Sequence, residues 1–129
     1  MAKVLGIGGL MFRSRDVPAL TRWYEQVLGL SFHDWGGAWF PAPETAQWPG
    51  AGAVYTPVKA ETEYFAPATN EFLVNLMVDD LDAILARCAE HGVTPVKVFP
   101  DEPNGRFAHI LDPEGRKIEL WQPKPMPAA

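Results

Sequence analysis

Leu73-Val-Asn-Leu-Met-Val-Asp-Asp80 repeats a pattern that the chain has already shown at Gly9-Leu-Met-Phe-Arg-Ser-Arg-Asp16. Both stretches alternate like strands, with Leu10 and Phe12 set against Met11 and Arg13, and Val74, Leu76 and Val78 set against Asn75 and Met77. Both end on an aspartate, and both are followed by apolar residues at helical spacing that close on a glycine, Leu28-Gly29-Leu30 in the first and His91-Gly92-Val93 in the second. Asp16 and Asp80 lie 64 residues apart, about half of the 129-residue chain. A period this long, present twice, marks a duplicated module rather than a solenoid, which needs at least three units.

Each aspartate suits an N-cap, where a carboxylate accepts hydrogen bonds from free N–H groups and meets the positive end of the helix dipole. Pro18 fits the first turn. Leu20, Trp23, Tyr24, Val27 and Leu28 form one apolar stripe, and Leu81, Ile84, Leu85 and Cys88 the other. Gly29 and Gly92 end the helices, since glycine adopts the left-handed conformation at little cost. Short strands are expected after each helix: near 31–34, 37–40 and 52–57 in module one, and near 96–99, 106–111 and 117–121 in module two. Asp112-Pro-Glu-Gly115 reads as a tight turn between the last two. The order is βαβββ twice, an α+β pattern. It predicts one domain over residues 1–129, with module one at about 4–58 and module two at about 71–122. Two curved mixed sheets would pair around a central cavity, with the helices outside.

Composition narrows the function. The 47% apolar content is enough for a real core, and the net charge of −5 argues against partners that need a basic face. Nucleic acid and anionic membranes are therefore poor partners. No apolar run reaches the roughly 18 residues of a membrane span, the first residues lack a signal-peptide stretch, and a cytoplasmic location is expected. The single cysteine, Cys88, rules out an internal disulfide and falls on a core stripe. Gly6-Ile-Gly-Gly9 has no helix directly after it, so it is not a phosphate loop.

Leu111-Asp-Pro-Glu-Gly-Arg-Lys-Ile-Glu-Leu-Trp121, together with the paired helix entries and Trp23-Tyr-Glu-Gln-Val-Leu-Gly-Leu30, resembles the glyoxalase / bleomycin-resistance / extradiol-dioxygenase superfamily, the vicinal oxygen chelate fold. The resemblance runs from Ile7 to Gln122. In metal-dependent relatives it implies a divalent ion between the sheets, with a His seven residues before each capping Asp. Those positions hold Gly9 and Leu73, which offer no side-chain ligand. Glu119, seven after Asp112, matches the ligand pattern. The fourth position falls around 53–56, where Tyr55 is a poor donor. The expectation is therefore a metal-independent protein that binds a small organic ligand, without cofactor, as a homodimer of the bleomycin-resistance type. The alternative is a lyase, isomerase or dioxygenase using one Zn, Mn, Fe or Ni ion, with Glu119 as a ligand.

Strand alternation selects the site. Glu119 and Trp121 face away from Ile118 and Leu120, His109 away from Ala108 and Ile110, and Asn75 away from Val74 and Leu76. If the apolar sets meet the helices, the polar sets share the opposite side. Glu119, His109, Asn75, Tyr55 and Trp121 are thus the expected ligand-binding residues, a mostly apolar pocket with a few convergent polar groups. Trp39 could add a wall from module one. Arg13 and Arg106 are further anion-binding candidates near the mouth of the cavity.

Overall fold

The two capping aspartates do what the sequence asks of them. In a computed structural model that describes Ile7 and residues 9–125, α1 spans Val17–Leu28 and α3 spans Leu81–Glu90, with a single-turn α2 at Ala42–Thr45 between them. Asp16 Oδ1 accepts from Ala19 N at 3.1 Å, and Asp80 Oδ1 accepts from Ala83 N at 3.0 Å. Each satisfies one of the four free donors at a helix start. Gly29 and Gly92 end the helices at φ of 74° and 75°, a region that costs other residues strain.

Four strands make one mixed sheet: β1 (Val74–Met77), β2 (Lys97–Val98), β3 (Gly105–Leu111) and β4 (Lys117–Pro123), in the order β1-β4-β3-β2. β1 runs parallel to β4, and β4–β3 and β3–β2 are antiparallel. The crossover from β1 to the rest passes through α3, which gives the βαβββ order expected of module two. The turn between β3 and β4 is organised by Asp112, whose Oδ1 accepts from Glu114 N at 2.9 Å and Arg116 N at 3.0 Å. Its Oδ2 accepts from the Tyr24 hydroxyl at 3.2 Å, which fastens α1 to the end of the sheet.

One face of the sheet is apolar and covered. Ala108, Ile110, Ile118 and Leu120 are fully buried there, in a core with Leu20, Tyr24, Val27 and Leu28 of α1 and Leu81 and Cys88 of α3. Alternation of successive side chains then places Asn75, His109 and Glu119 on the other face.

Module one departs from the paired-sheet expectation. Its helix joins the core, but the expected strands near 9–13, 31–34, 37–40 and 52–57 form no second sheet among the described residues. A single bridge, Phe32↔Ala38, pairs part of 31–40, and α2 falls between the expected strands at 37–40 and 52–57. Leu10, Met11, Phe12, Trp39, Phe40 and Val54 are exposed. The physical reason is the lack of a neighbour. Alternation shows that a segment suits a half-buried strand, but only a free edge and an apolar surface to cover make it one. Residues 4–6 of that module, Gly8 of the glycine-rich stretch and residues 126–129 of the tail lie outside the described residues.

Candidate functional site

Register assembles the site. β3 and β4 pair His109 with Glu119, and β1 pairs Asn75 with Glu119, so three polar side chains from three adjacent strands meet on the face away from the helices. His109 is almost wholly buried and Glu119 nearly so. His109 Nε2 lies 2.8 Å from Glu119 Oε2. A carboxylate only accepts, so Nε2 is the ring nitrogen that carries the proton there. Asn75 Nδ2 donates to Glu119 Oε1 at 2.9 Å. The other ring nitrogen, His109 Nδ1, is buried with no hydrogen-bond partner among the described residues.

A third donor comes from outside the sheet. The Tyr64 hydroxyl donates to Glu119 Oε2 in a very short contact. Its ring meets His109 edge-on at 4.9 Å between centroids, and Phe99 meets His109 the same way at 4.7 Å. Lys117 holds the chain behind Tyr64: its Nζ donates to Tyr64 O at 2.7 Å and to Ala66 O at 2.8 Å. Lys117 is itself buried.

These contacts set the charges. Burial works to raise the Glu119 carboxyl. The hydrogen bonds from His109, Tyr64 and Asn75 outweigh it and hold the group below the ordinary glutamate value, as a carboxylate. Burial, then the Glu119 hydrogen bond and charge, push the Tyr64 phenol well above its usual value, so it stays a donor. Burial also lowers Lys117, with Glu119 opposing and Lys97 adding to the shift.

Glu119, His109 and Asn75 are thus brought into one hydrogen-bonded cluster. Trp121 shares their face, two residues beyond Glu119, but its Nε1 donates to Asn104 O at 3.0 Å and its ring stacks on Phe107 with planes 5° apart. Tyr55 stands apart, 87% exposed, and Trp39 is exposed too. Arg106 is engaged with Asp82 at 3.0 Å. Arg13 borders two open depressions of about 310 Å³ each, which share Asn70 and Arg116 and include neither Glu119 nor His109. Tyr64, Phe99 and Lys117 were not anticipated. The pair Tyr64-Phe65, aromatic in a connection whose other residues are small or polar, is the one signal the sequence offers for the first of them.

The donor set does not fit a divalent-metal site. Gly9 and Leu73 occupy the positions from which relatives supply histidine, and Tyr55 is turned out to solvent. No group of three His, Cys, Asp or Glu side chains suited to an ion gathers among the described residues. Nor is any described helix long and apolar enough to cross a membrane.

A family model described as Glyoxalase/Bleomycin resistance protein/Dioxygenase superfamily matches residues 6–120. No curated protein matches the chain. Among solved structures, a lactoylglutathione lyase from Agrobacterium tumefaciens is 16% identical with a TM-score of 0.52, over 90% of this chain and 94% of that one. A protein of unknown function from Agrobacterium tumefaciens str. C58 is 21% identical with a TM-score of 0.51, over 94% of this chain and 100% of that one. TnmS3, an antibiotic binding protein from Streptomyces sp. CB03234, is 22% identical with a TM-score of 0.48, over 84% and 88%. At these identities, the first two likenesses concern the fold alone.

Proposed function

This chain belongs to the glyoxalase/bleomycin resistance protein/dioxygenase superfamily, and from that premise we propose that it binds a small organic molecule without a metal, on the sheet face that carries Glu119, His109 and Asn75. One observation carries the reading. A buried carboxylate is held ionised by three convergent donors on the sheet face away from the helices. Such a group is an oriented acceptor, suited to a ligand hydroxyl or amine. His109 Nδ1, buried with no partner among the described residues, adds a second polar atom to the same cluster.

The reading extends to assembly. The apolar residues exposed in module one would be covered by a second copy of the chain, so that the strands of module one find edges to pair with and a second sheet closes over the polar face. The whole chain then acts as one two-module domain within a cytosolic homodimer.

The test is ligand capture after metal analysis. Purified protein should carry well under one equivalent of Zn, Mn, Fe or Ni and should retain organic molecules from a library, as read by native mass spectrometry. Glu119→Gln should abolish that retention. About one equivalent of a transition metal, lost in Glu119→Gln, would replace this reading with a metal-dependent lyase, isomerase or dioxygenase.

A further inference from the structure

Tyr64 reaches the Glu119 cluster from the connection between the modules rather than from the sheet. Its hydroxyl occupies Glu119 Oε2, and its ring lies against His109 and Phe99. The side chain is anchored but not sealed in. The residue remains 45% exposed, and the chain behind it is held to the sheet by the Lys117 ammonium through Tyr64 O and Ala66 O. Tyr64 thus presents, within the molecule, an aromatic ring with a hydroxyl donor aimed at an oriented carboxylate.

We propose that Tyr64 is a built-in occupant of the binding site, that the ligands are phenols, and that a ligand binds by taking the place of the Tyr64 side chain, which turns out to solvent while Lys117 keeps hold of the backbone behind it. The inference rests on the binding role given to this face above. A phenol satisfies the same acceptor with the same O–H and offers its ring to the same His109 and Phe99 edges. An aromatic group without a donor would leave Glu119 Oε2 with His109 Nε2 alone, one charge-assisted hydrogen bond fewer than a phenol restores. The stacked Phe107 and Trp121 rings lie two residues along β3 and β4 from His109 and Glu119, on the same face. They offer a flat apolar floor to the remainder of a ligand larger than one ring.

An internal occupant lowers apparent affinity by the fraction of time the site stands open. Removing it must therefore strengthen binding. The probe is p-cresol, with 4-methylanisole, its methyl ether, as the control that lacks a donor, both read by titration calorimetry. Tyr64→Ala should bind p-cresol about tenfold or more tightly than the wild type does. The ether should improve little, and Glu119→Gln added to Tyr64→Ala should remove the improvement. If Tyr64→Ala does not fold, Tyr64→Phe keeps the ring and drops the hydroxyl, and should show a smaller improvement for p-cresol over the ether.

Equal improvements for cresol and ether would mean that the substitution only opened space, and would overturn the proposal. So would unchanged p-cresol binding in whichever variant folds. A library ligand that needs Glu119, lacks a phenolic hydroxyl and is indifferent to Tyr64→Ala would sink this inference and leave the binding function standing. No Glu119-dependent ligand for wild type or variant would sink both.

Discussion

Leu120 of module two lies wholly out of solvent in the common core, while Met11 and Trp39 of module one stand 97% and 65% exposed. In sequence, both modules carry an alternating first stretch, an aspartate cap, an amphipathic helix and a closing glycine. Module two turns that pattern into a four-stranded sheet because its β4 finds both a parallel neighbour in β1 and an antiparallel one in β3. Module one delivers its helix to the shared core, but among the described residues its strand sequences form one bridge, Phe32↔Ala38, and no sheet. The contrast teaches that a helix satisfies its backbone alone and needs only a surface to cover, whereas a strand needs another strand.

The sharpest way to break the contrast is to hollow out each side. Leu120→Ala should cost about 2–5 kcal/mol of unfolding free energy, the range for removing a buried leucine side chain beyond Cβ. Phe12→Ala, at a half-exposed position, should cost well under half of that in dilute solution. Equal losses in urea titrations would show that module one is as tightly packed as module two, and the contrast would be gone.

The polar face gives the next effect. Glu119→Gln replaces an acceptor of three donors by an amide, whose N–H₂ must face at least one of them, and should cost about 1–3 kcal/mol at neutral pH. The pH dependence follows from the depressed Glu119 value. Its contribution is fully present above the ordinary glutamate pKa of about 4.3 and is lost as pH falls through the lower folded value. Glu114, held at about 2 chiefly by hydrogen bonds from Ser14 and from the Arg15 backbone, acts in the same direction. Stability of the wild type should thus decline more steeply below a pH of about 4.3 than that of Glu119→Gln. Parallel curves would mean that Glu119 has no folded-state stabilisation to lose.

How much of this was readable depends on the range of the interaction. Asp16 and Asp80 were legible because a cap bonds three residues away. Glu119, His109 and Asn75 were legible because alternation fixes a face, and three strands with one apolar face each have to turn the other the same way. Tyr64 was not, since nothing local ties an aromatic in a connecting segment to a carboxylate 55 residues on. Tyr55 was assigned on the assumption that its segment is a strand, and without a neighbouring strand its position on a face has no meaning.

Assembly sharpens the comparison from the side of module one. If a second copy covers the exposed strands, static light scattering should give about twice the 14.3 kDa chain mass. Met11→Asp should weaken the association by about tenfold or more, equivalent to roughly 1.4 kcal/mol, with the helical signal unchanged. A monomer at micromolar concentrations would leave the exposed apolar residues unexplained by pairing.

The smallest effect tests whether α1 belongs with its own module or with the core. Its cap geometry matches that of α3, with bonds of 3.1 and 3.0 Å. Its buried stripe, Leu20, Tyr24, Val27 and Leu28, packs into the same cluster as Leu81 and Cys88, and the Tyr24 hydroxyl is tied to Asp112 at the β3–β4 turn. Asp16→Ala and Asp80→Ala should therefore cost about the same, roughly 1 kcal/mol each, in a single unfolding transition. The double variant should lose close to the sum, because the caps share no partner. Should Asp16→Ala leave the main transition untouched while a separate, earlier loss of helical signal emerges, α1 would be unfolding with the exposed strands of module one. The line between the two regions would then run behind the helix rather than in front of it, and Tyr24–Asp112 would be a contact the core can do without.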